Sequence, residues 1–305
     1  MAKRVTCCEG RITGIASEEG GDPALPLIVC VPGGGSSAVA FDLPHQSFLG
    51  SAACNGFAAI ALNRPAQMDS APLALDPTAE EGAFAANASM LLQAIDEVQT
   101  SRSSGGGSVF LYGSSIGGAI ALHMAARCSE FPRPWKLCGL SVADIGQLAP
   151  PQIVDAWHAL PVTDIINLAA YLPLFAASAP PWSLPMRPPG PPEALRLPVP
   201  RAELQEIVGA WPRRWREVCG AIRVPVQYAL AEHDAPWHVS EALVAEFAAT
   251  LRRSSAHVEA KIMKGASHGI ALGPLGRAHV LEVLGFAARC AVAERIPAIH
   301  GASKQ

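Results

Sequence analysis

A serine hydroxyl is a poor nucleophile until a base takes its proton, and an imidazole base needs a carboxylate to hold its tautomer and stabilise its charged form. This sequence offers such a set in the order serine, aspartate, histidine. Ser115 stands in Gly113-Ser114-Ser115-Ile116-Gly117, Asp234 in Ala231-Glu232-His233-Asp234, and His268 in Lys264-Gly265-Ala266-Ser267-His268-Gly269. A serine on a sharp strand-to-helix turn is pushed clear of the backbone, and glycines beside it avoid collision with neighbouring elements. The same glycine-serine-glycine spacing recurs at Gly265-Ala266-Ser267-His268-Gly269. Ser267 has no aspartate C-terminal to it, and Ile270 to Pro274 reads as loop rather than helix. Ser115 is therefore the candidate nucleophile.

These residues need a frame that brings them to one rim, and the apolar pattern supplies it. Short apolar runs at Leu27 to Val31, Phe57 to Leu62, Val109 to Tyr112, Leu137 to Val142, Val226 to Leu230 and Val258 to Met263 read as strands. Amphipathic stretches alternate with them. Phe84, Ala88, Leu91, Leu92, Ile95 and Val98 mark one helical face, opened by a Thr78–Glu81 capping box. Ile116 to Arg127, Leu204 to Ile222, a helix capped by Ser240, and Ala278 to Ala293 complete the set, and Val5 to Cys8 pairs with Arg11 to Ser17 as an opening hairpin. The alternation predicts an α/β fold with a mostly parallel sheet flanked by helices. In such sheets sites form beyond the carboxyl ends of strands, where Ser115, Asp234 and His268 all fall.

Regularity stops between Pro150 and Pro200, which hold 13 of the 27 prolines with few charges and with Trp157, Tyr171, Phe175 and Trp182. A segment this apolar is not a solvated linker. Residues 147–203 are expected to form a lid or cap inserted into a core of residues 1–146 and 204–305; the alternative is a proline-rich loop on the surface.

Composition narrows the partners. A net charge of −3 and a pI near 6.3 argue against nucleic acid or an anionic membrane. No apolar run approaches the roughly 20 residues of a membrane span, and the N-terminus lacks a signal-peptide block, so a cytoplasmic protein is expected. The eight cysteines are not expected to pair as disulfides, and Cys30, Cys128, Cys138 and Cys290 read as small buried hydrophobes. No ligand spacing calls for a metal; His233 and His238 lack a third partner. A homodimer stays open.

Over essentially the whole chain the sequence resembles the α/β-hydrolase family. The elbow Gly113-Ser114-Ser115-Ile116-Gly117-Gly118, the acid loop at Asp234 and the histidine loop at His268 carry the likeness. Ala61-Leu62-Asn63-Arg64-Pro65 looks like the loop after the family's fourth strand, where the usual glycines are replaced by Ala66-Gln67-Met68-Asp69. The resemblance implies about eight strands, a lid after the sixth, and hydrolysis of an ester, thioester, amide, lactone or C–C bond without a cofactor. It also implies an oxyanion hole from the amides of Ile116 and Gly34, with Pro32 where many members carry histidine. The substrate would be an apolar acyl compound of small size. Transfer to an acceptor (an acyltransferase or cyclase) and a non-catalytic ligand-binding homologue remain alternatives. Asp144 also ends a strand and rivals Asp234 as the acid. His123 reads as a core or surface histidine, and His45 as a surface or pocket-border one.

Overall fold

The computed structural model describes residues 2–17, 21–73, 82–102, 107–176, 179–184 and 197–293. Eight strands make the central sheet: β1 (Lys3–Cys7), β2 (Ile12–Ala16), β3 (Leu27–Val31), β4 (Ala59–Leu62), β5 (Ser108–Ser114), β6 (Lys136–Ala143), β7 (Val226–His233) and β8 (Val258–Ser267). Their spatial order is β1-β2-β4-β3-β5-β6-β7-β8. β2 runs antiparallel to both of its neighbours, and every other pair is parallel. The parallel strands therefore end at one rim, with Val31 beside Gly113 and Ser114 beside Ala143.

Strand residues alternate between faces, and the core divides accordingly. Val29, Val31, Val109 and Leu111 belong to the apolar cluster on one face. Ile28, Cys30, Phe110 and Tyr112 belong to the cluster on the other. The first face is covered by α2 (Ala83–Ser101), α3 (Ile116–Glu130) and, further along the sheet, α7 (Trp211–Gly220) and α8 (Glu241–Leu251). The second is covered by α1 (Phe48–Cys54) and α9 (Gly276–Ala293). The eight cysteines form no disulfide, and Cys30, Cys138 and Cys290 are buried in the apolar interior, while Cys128 is half-buried and Cys54 exposed. Among the described residues no helix is long and apolar enough to cross a membrane.

Several strands run further than their apolar runs predict. β7 continues through Glu232 and His233, and β8 through Lys264 to Ser267. Ladder hydrogen bonds need no apolar side chain, so polar ends stay paired. The stretch Leu204 to Ile222 is two helices rather than one, α6 (Arg201–Val208) and α7. Pro212 has no N–H to give the preceding turn, and it sits instead in the first turn of α7, where none is required. Ile270 to Leu272 form a single 3₁₀ turn within the predicted loop. The Thr78–Glu81 capping box lies outside the described residues. At the start of α2 the Phe84 N–H donates to Glu206 Oε2 of α6 at 3.0 Å, so a distant carboxylate serves that helix end.

Between β6 and α6 the described residues form α4 (Pro151–His158), α5 (Leu172–Ala176) and a two-stranded pair of Ile165–Asn167 with Pro198–Pro200. This pairing joins the middle of the segment to the residues directly before α6.

The loop after β4 keeps a left-handed path without the glycines such a path favours. Ala66 has φ 62° and Met68 φ 48°. Each costs about 1–2 kcal/mol in that region, partly offset because alanine and methionine lose less chain entropy on folding than glycine. Ala66→Gly and Met68→Gly are each expected to raise unfolding free energy by about 0.5–1 kcal/mol. A shift of the urea midpoint at unchanged slope checks it; a lower midpoint refutes it.

Candidate active site

Ser115 occupies the turn from β5 to α3 with φ 55° and ψ −128°, a strained conformation for a residue with a side chain. The surroundings enforce it. The Ser115 N–H donates to Ala143 O at 2.9 Å, and the Gly118 N–H donates to Ser115 O at 2.8 Å. A Cβ on Gly113 would stand 2.4 Å from Gly117 O, and one on Gly117 would stand 2.3 Å from Val31 O. Both glycines are therefore steric requirements of strand, turn and helix meeting at one point.

Asp234 and His268 come from the ends of β7 and β8 and meet this serine. His268 Nε2 lies 3.1 Å from Ser115 Oγ, and His268 Nδ1 lies 2.9 Å from Asp234 Oδ1. The Asp234 side chain is fully buried and that of His268 is 13% exposed. The ring of Phe175, from α5, lies 5.6 Å from the imidazole. The three residues singled out in the sequence are thus one hydrogen-bonded chain. The Gly34 and Ile116 amides have no hydrogen-bond partner among the described residues. Both residues line the cavity beside Ser115, and the Ile116 amide stands at the N-terminus of α3.

Asp144 is present too, but it faces elsewhere. Its Oδ1 accepts the N–H groups of Gly269 and Ile270, both at 3.1 Å, and its Oδ2 accepts the Ser114 hydroxyl at 2.8 Å. It anchors the backbone that follows His268 rather than the ring. Of the two carboxylates, Asp234, the one favoured in the sequence, is the one within hydrogen-bond reach of the imidazole. Burial by itself pulls the His268 imidazole down. The charge of Asp234, its hydrogen bond and the charge of Asp144 outweigh that and raise the group to about 9. Burial pushes the Asp144 carboxyl up, against the charge of His268 and the donors from Ile270 and Ser114.

Among the described residues, Asp144, Asp234 and His268 form the one group of three whose donor atoms are close enough to hold a metal, within 4.8 Å. Asp144 is engaged by backbone N–H groups and Asp234 Oδ1 by His268 Nδ1, while Asp234 Oδ2 has no hydrogen-bond partner among the described residues. His233 and His238 are not in that group: His233 lies against the Trp182 ring and His238 is exposed. His45 is exposed and absent from the cavity wall, while its neighbour Gln46 lines it. His123 is a core residue between Phe84 and Trp211, and burial pushes its imidazole down to about 4. Ser267 donates to Ser183 O at 3.0 Å and takes no part in the chain of three.

The cavity at Ser115 has a volume of about 320 Å³. Ile153, Trp157, Leu168 and Phe175 wall one part, continuous with the apolar cluster under α3. Phe41, Phe48, Tyr112 and Val280 wall another, continuous with the cluster under α9. No lysine, arginine, aspartate or glutamate side chain reaches the wall among the described residues. One contact is not legible in the sequence: Arg64 and Glu203 are a fully buried pair behind the glycine turn. The Asn63-Arg64-Pro65 stretch after an apolar strand was its only local signal.

The family described as "Alpha/beta hydrolase family" matches residues 28–280. No curated protein matches the sequence. Among solved structures, the chain is similar to a monoacylglycerol lipase of Paleococcus ferrophilus, with a TM-score of 0.60 at 15% identity, covering 95% of this chain and 99% of that one. It is similar to a thermostable carboxyl esterase of Bacillus coagulans, with a TM-score of 0.61 at 14% identity, covering 95% and 98%. A thioesterase domain from the curacin biosynthetic pathway gives a TM-score of 0.56 at 15% identity, covering 93% and 98%.

Proposed function

Since the chain belongs to the alpha/beta hydrolase family, we propose that it is a cofactor-independent serine hydrolase of neutral, apolar esters or thioesters. The carrying observation is the hydrogen-bonded series Asp234–His268–Ser115 at the base of an uncharged cavity. Ser115 Oγ attacks the acyl carbon as its proton passes to His268 Nε2. The oxyanion is held by the amides of Ile116 and Gly34. Asp234 stabilises the imidazolium, which returns the proton to the leaving alcohol or thiol as the carbonyl re-forms. Water then adds to the acyl-serine, giving its proton to Nε2, and the acid departs as Ser115 recovers its hydrogen.

The inserted segment acts in this reading as a lid on the pocket, supported by the position of Ile153, Trp157, Leu168 and Phe175 in its wall. Because the cavity is apolar on both sides of the sheet plane, neither the acyl part nor the leaving group carries a charge. A buried charge with no partner costs several kcal/mol. A panel of p-nitrophenyl and thiol esters tests this. Neutral chains are expected to exceed analogues bearing a carboxylate or ammonium by about 100-fold or more in kcat/KM. A fluorophosphonate is expected to label Ser115 with one-to-one stoichiometry. Absence of both labelling and turnover sinks the proposal.

A further inference from the structure

Arg64 has no solvent exposure, yet a guanidinium keeps its charge at any ordinary pH. Such a group needs partners for its charge and its N–H fork. Nη1 donates to Glu203 Oε2, whose other oxygen accepts from Asn87 Nδ2 at 3.2 Å. The rest of the fork goes to two consecutive carbonyls of the glycine turn after β3. Nε donates to Pro32 O at 3.0 Å and Nη2 to Gly33 O at 3.1 Å. The same Gly33 carbonyl also accepts from the Ser36 hydroxyl at 3.1 Å and the Ser36 N–H at 3.3 Å. Gln67 Nε2 donates to Ser36 O at 2.6 Å, while Gln67 Oε1 accepts the Arg64 backbone N–H at 3.1 Å. The loop after β4 thus grips the turn after β3 from behind.

Peptide geometry converts that grip into an orientation. The bond between Gly33 and Gly34 is trans, since no cis peptide occurs among the described residues. In a trans peptide the carbonyl and the following N–H point in opposite directions. A Gly33 carbonyl held on Arg64 therefore turns the Gly34 N–H to the other side of the turn. Ser115 lies close to this turn: a Cβ on Gly33 would stand 3.1 Å from Ser115 Cβ, and Gly34 lines the cavity. Glycine is otherwise free to rotate this plane, so a fixed carbonyl is what gives the amide one direction.

We propose that Arg64 is a positioning residue whose fork on Pro32 O and Gly33 O, balanced by Glu203, aims the Gly34 amide at the oxyanion. The inference rests on the reading of Ser115 as nucleophile and Gly34 as oxyanion donor. Arg64→Lys retains the charge opposite Glu203 but cannot span both carbonyls and the carboxylate at once. Loss of a single oxyanion donor lowers kcat by about 10²- to 10³-fold, and a misdirected one by a part of that.

The test compares wild type and Arg64→Lys on a neutral ester, with an alkyl boronic acid as the tetrahedral probe and the alcohol of equal chain length as the ground-state probe. The expected result is kcat lower by about 10- to 100-fold at nearly constant KM. Boronate inhibition weakens by the same factor and alcohol inhibition stays as it was. Unchanged kcat, or equal weakening of boronate and alcohol, overturns the proposal. If Arg64→Lys lacks a cooperative thermal transition, Ser36→Ala removes a different donor from the same carbonyl and leaves the ion pair intact. It must then give the same split between the two probes on a smaller scale, and its absence overturns the proposal. Wild type that neither turns over esters nor takes up a fluorophosphonate fails the underlying reading, and the inference falls with it. Labelled, active wild type beside an unaffected Arg64→Lys fails this inference alone.

Discussion

Ser115→Ala is expected to lower kcat on the best ester by about 10⁴- to 10⁶-fold with the fold intact. The magnitude follows from what one atom does. Ser115 Oγ is the partner of His268 Nε2 at 3.1 Å, and removing it leaves the imidazole with a proton acceptor but no nucleophile to serve. The backbone contacts of the elbow run through Ser115 N and O, to Ala143 O and from Gly118 N, and alanine preserves both. Residual turnover then comes from binding and the oxyanion amides acting on water. Residues acting as one unit are not additive, so Ser115→Ala with His268→Ala is expected to be scarcely slower than Ser115→Ala alone. Activity within tenfold of wild type in purified Ser115→Ala would remove this serine from the chemistry, and thermal melts on the same sample exclude simple unfolding.

Asp234→Asn is expected to cost about 10⁴-fold in kcat, because an amide facing Nδ1 no longer fixes the tautomer that leaves Nε2 free to accept. Asp144→Asn is expected to behave differently, although the two carboxylates lie close together. An asparagine oxygen at 144 can still accept the N–H groups of Gly269 and Ile270, so the His268 backbone holds its place. What disappears is a negative charge that helps to raise the imidazole. The reactive form is the neutral ring. With the folded group raised from 6.5 to about 9, kcat/KM rises with pH through that range in wild type. Removing the Asp144 charge lowers the ring's pKa and moves this limb to lower pH, so relative activity below pH 7 increases. Profiles of kcat/KM for wild type and both variants separate the roles. A loss of about 10⁴-fold in Asp144→Asn beside a small one in Asp234→Asn would exchange the two assignments.

Why these parts were legible in sequence, and others not, is a matter of distance along the chain. Ser115, Asp234 and His268 each follow a recognisable apolar strand by a few residues, and parallel strands end at a common rim. Local pattern plus one topological rule therefore suffices to gather them. The acid loop of the resembled family favours Asp234 over Asp144 although both follow strands; which side chain meets Nδ1 and which the backbone beyond His268 is a matter of contacts that the sequence does not carry. Arg64 and Glu203 lie 139 positions apart, and periodicity carries no information on which charges meet in an interior. Ala66 and Met68 stand where the resembled family has glycines, yet the backbone keeps positive φ and bears the strain. Pro212 could have been read correctly, since proline favours the opening turn of a helix.

Helix α6 has a consequence for how such a protein could diversify. Glu203 meets Arg64 and Glu206 meets the start of α2, so the point where the inserted segment rejoins the sheet is riveted to the framework twice. Residues upstream of those rivets that have no ring contact with His268, such as Ile153 and Trp157, can be exchanged for larger or smaller ones without dragging the reaction centre along. Selection for a new diet can then act on the wall while inheritance preserves the machine behind it.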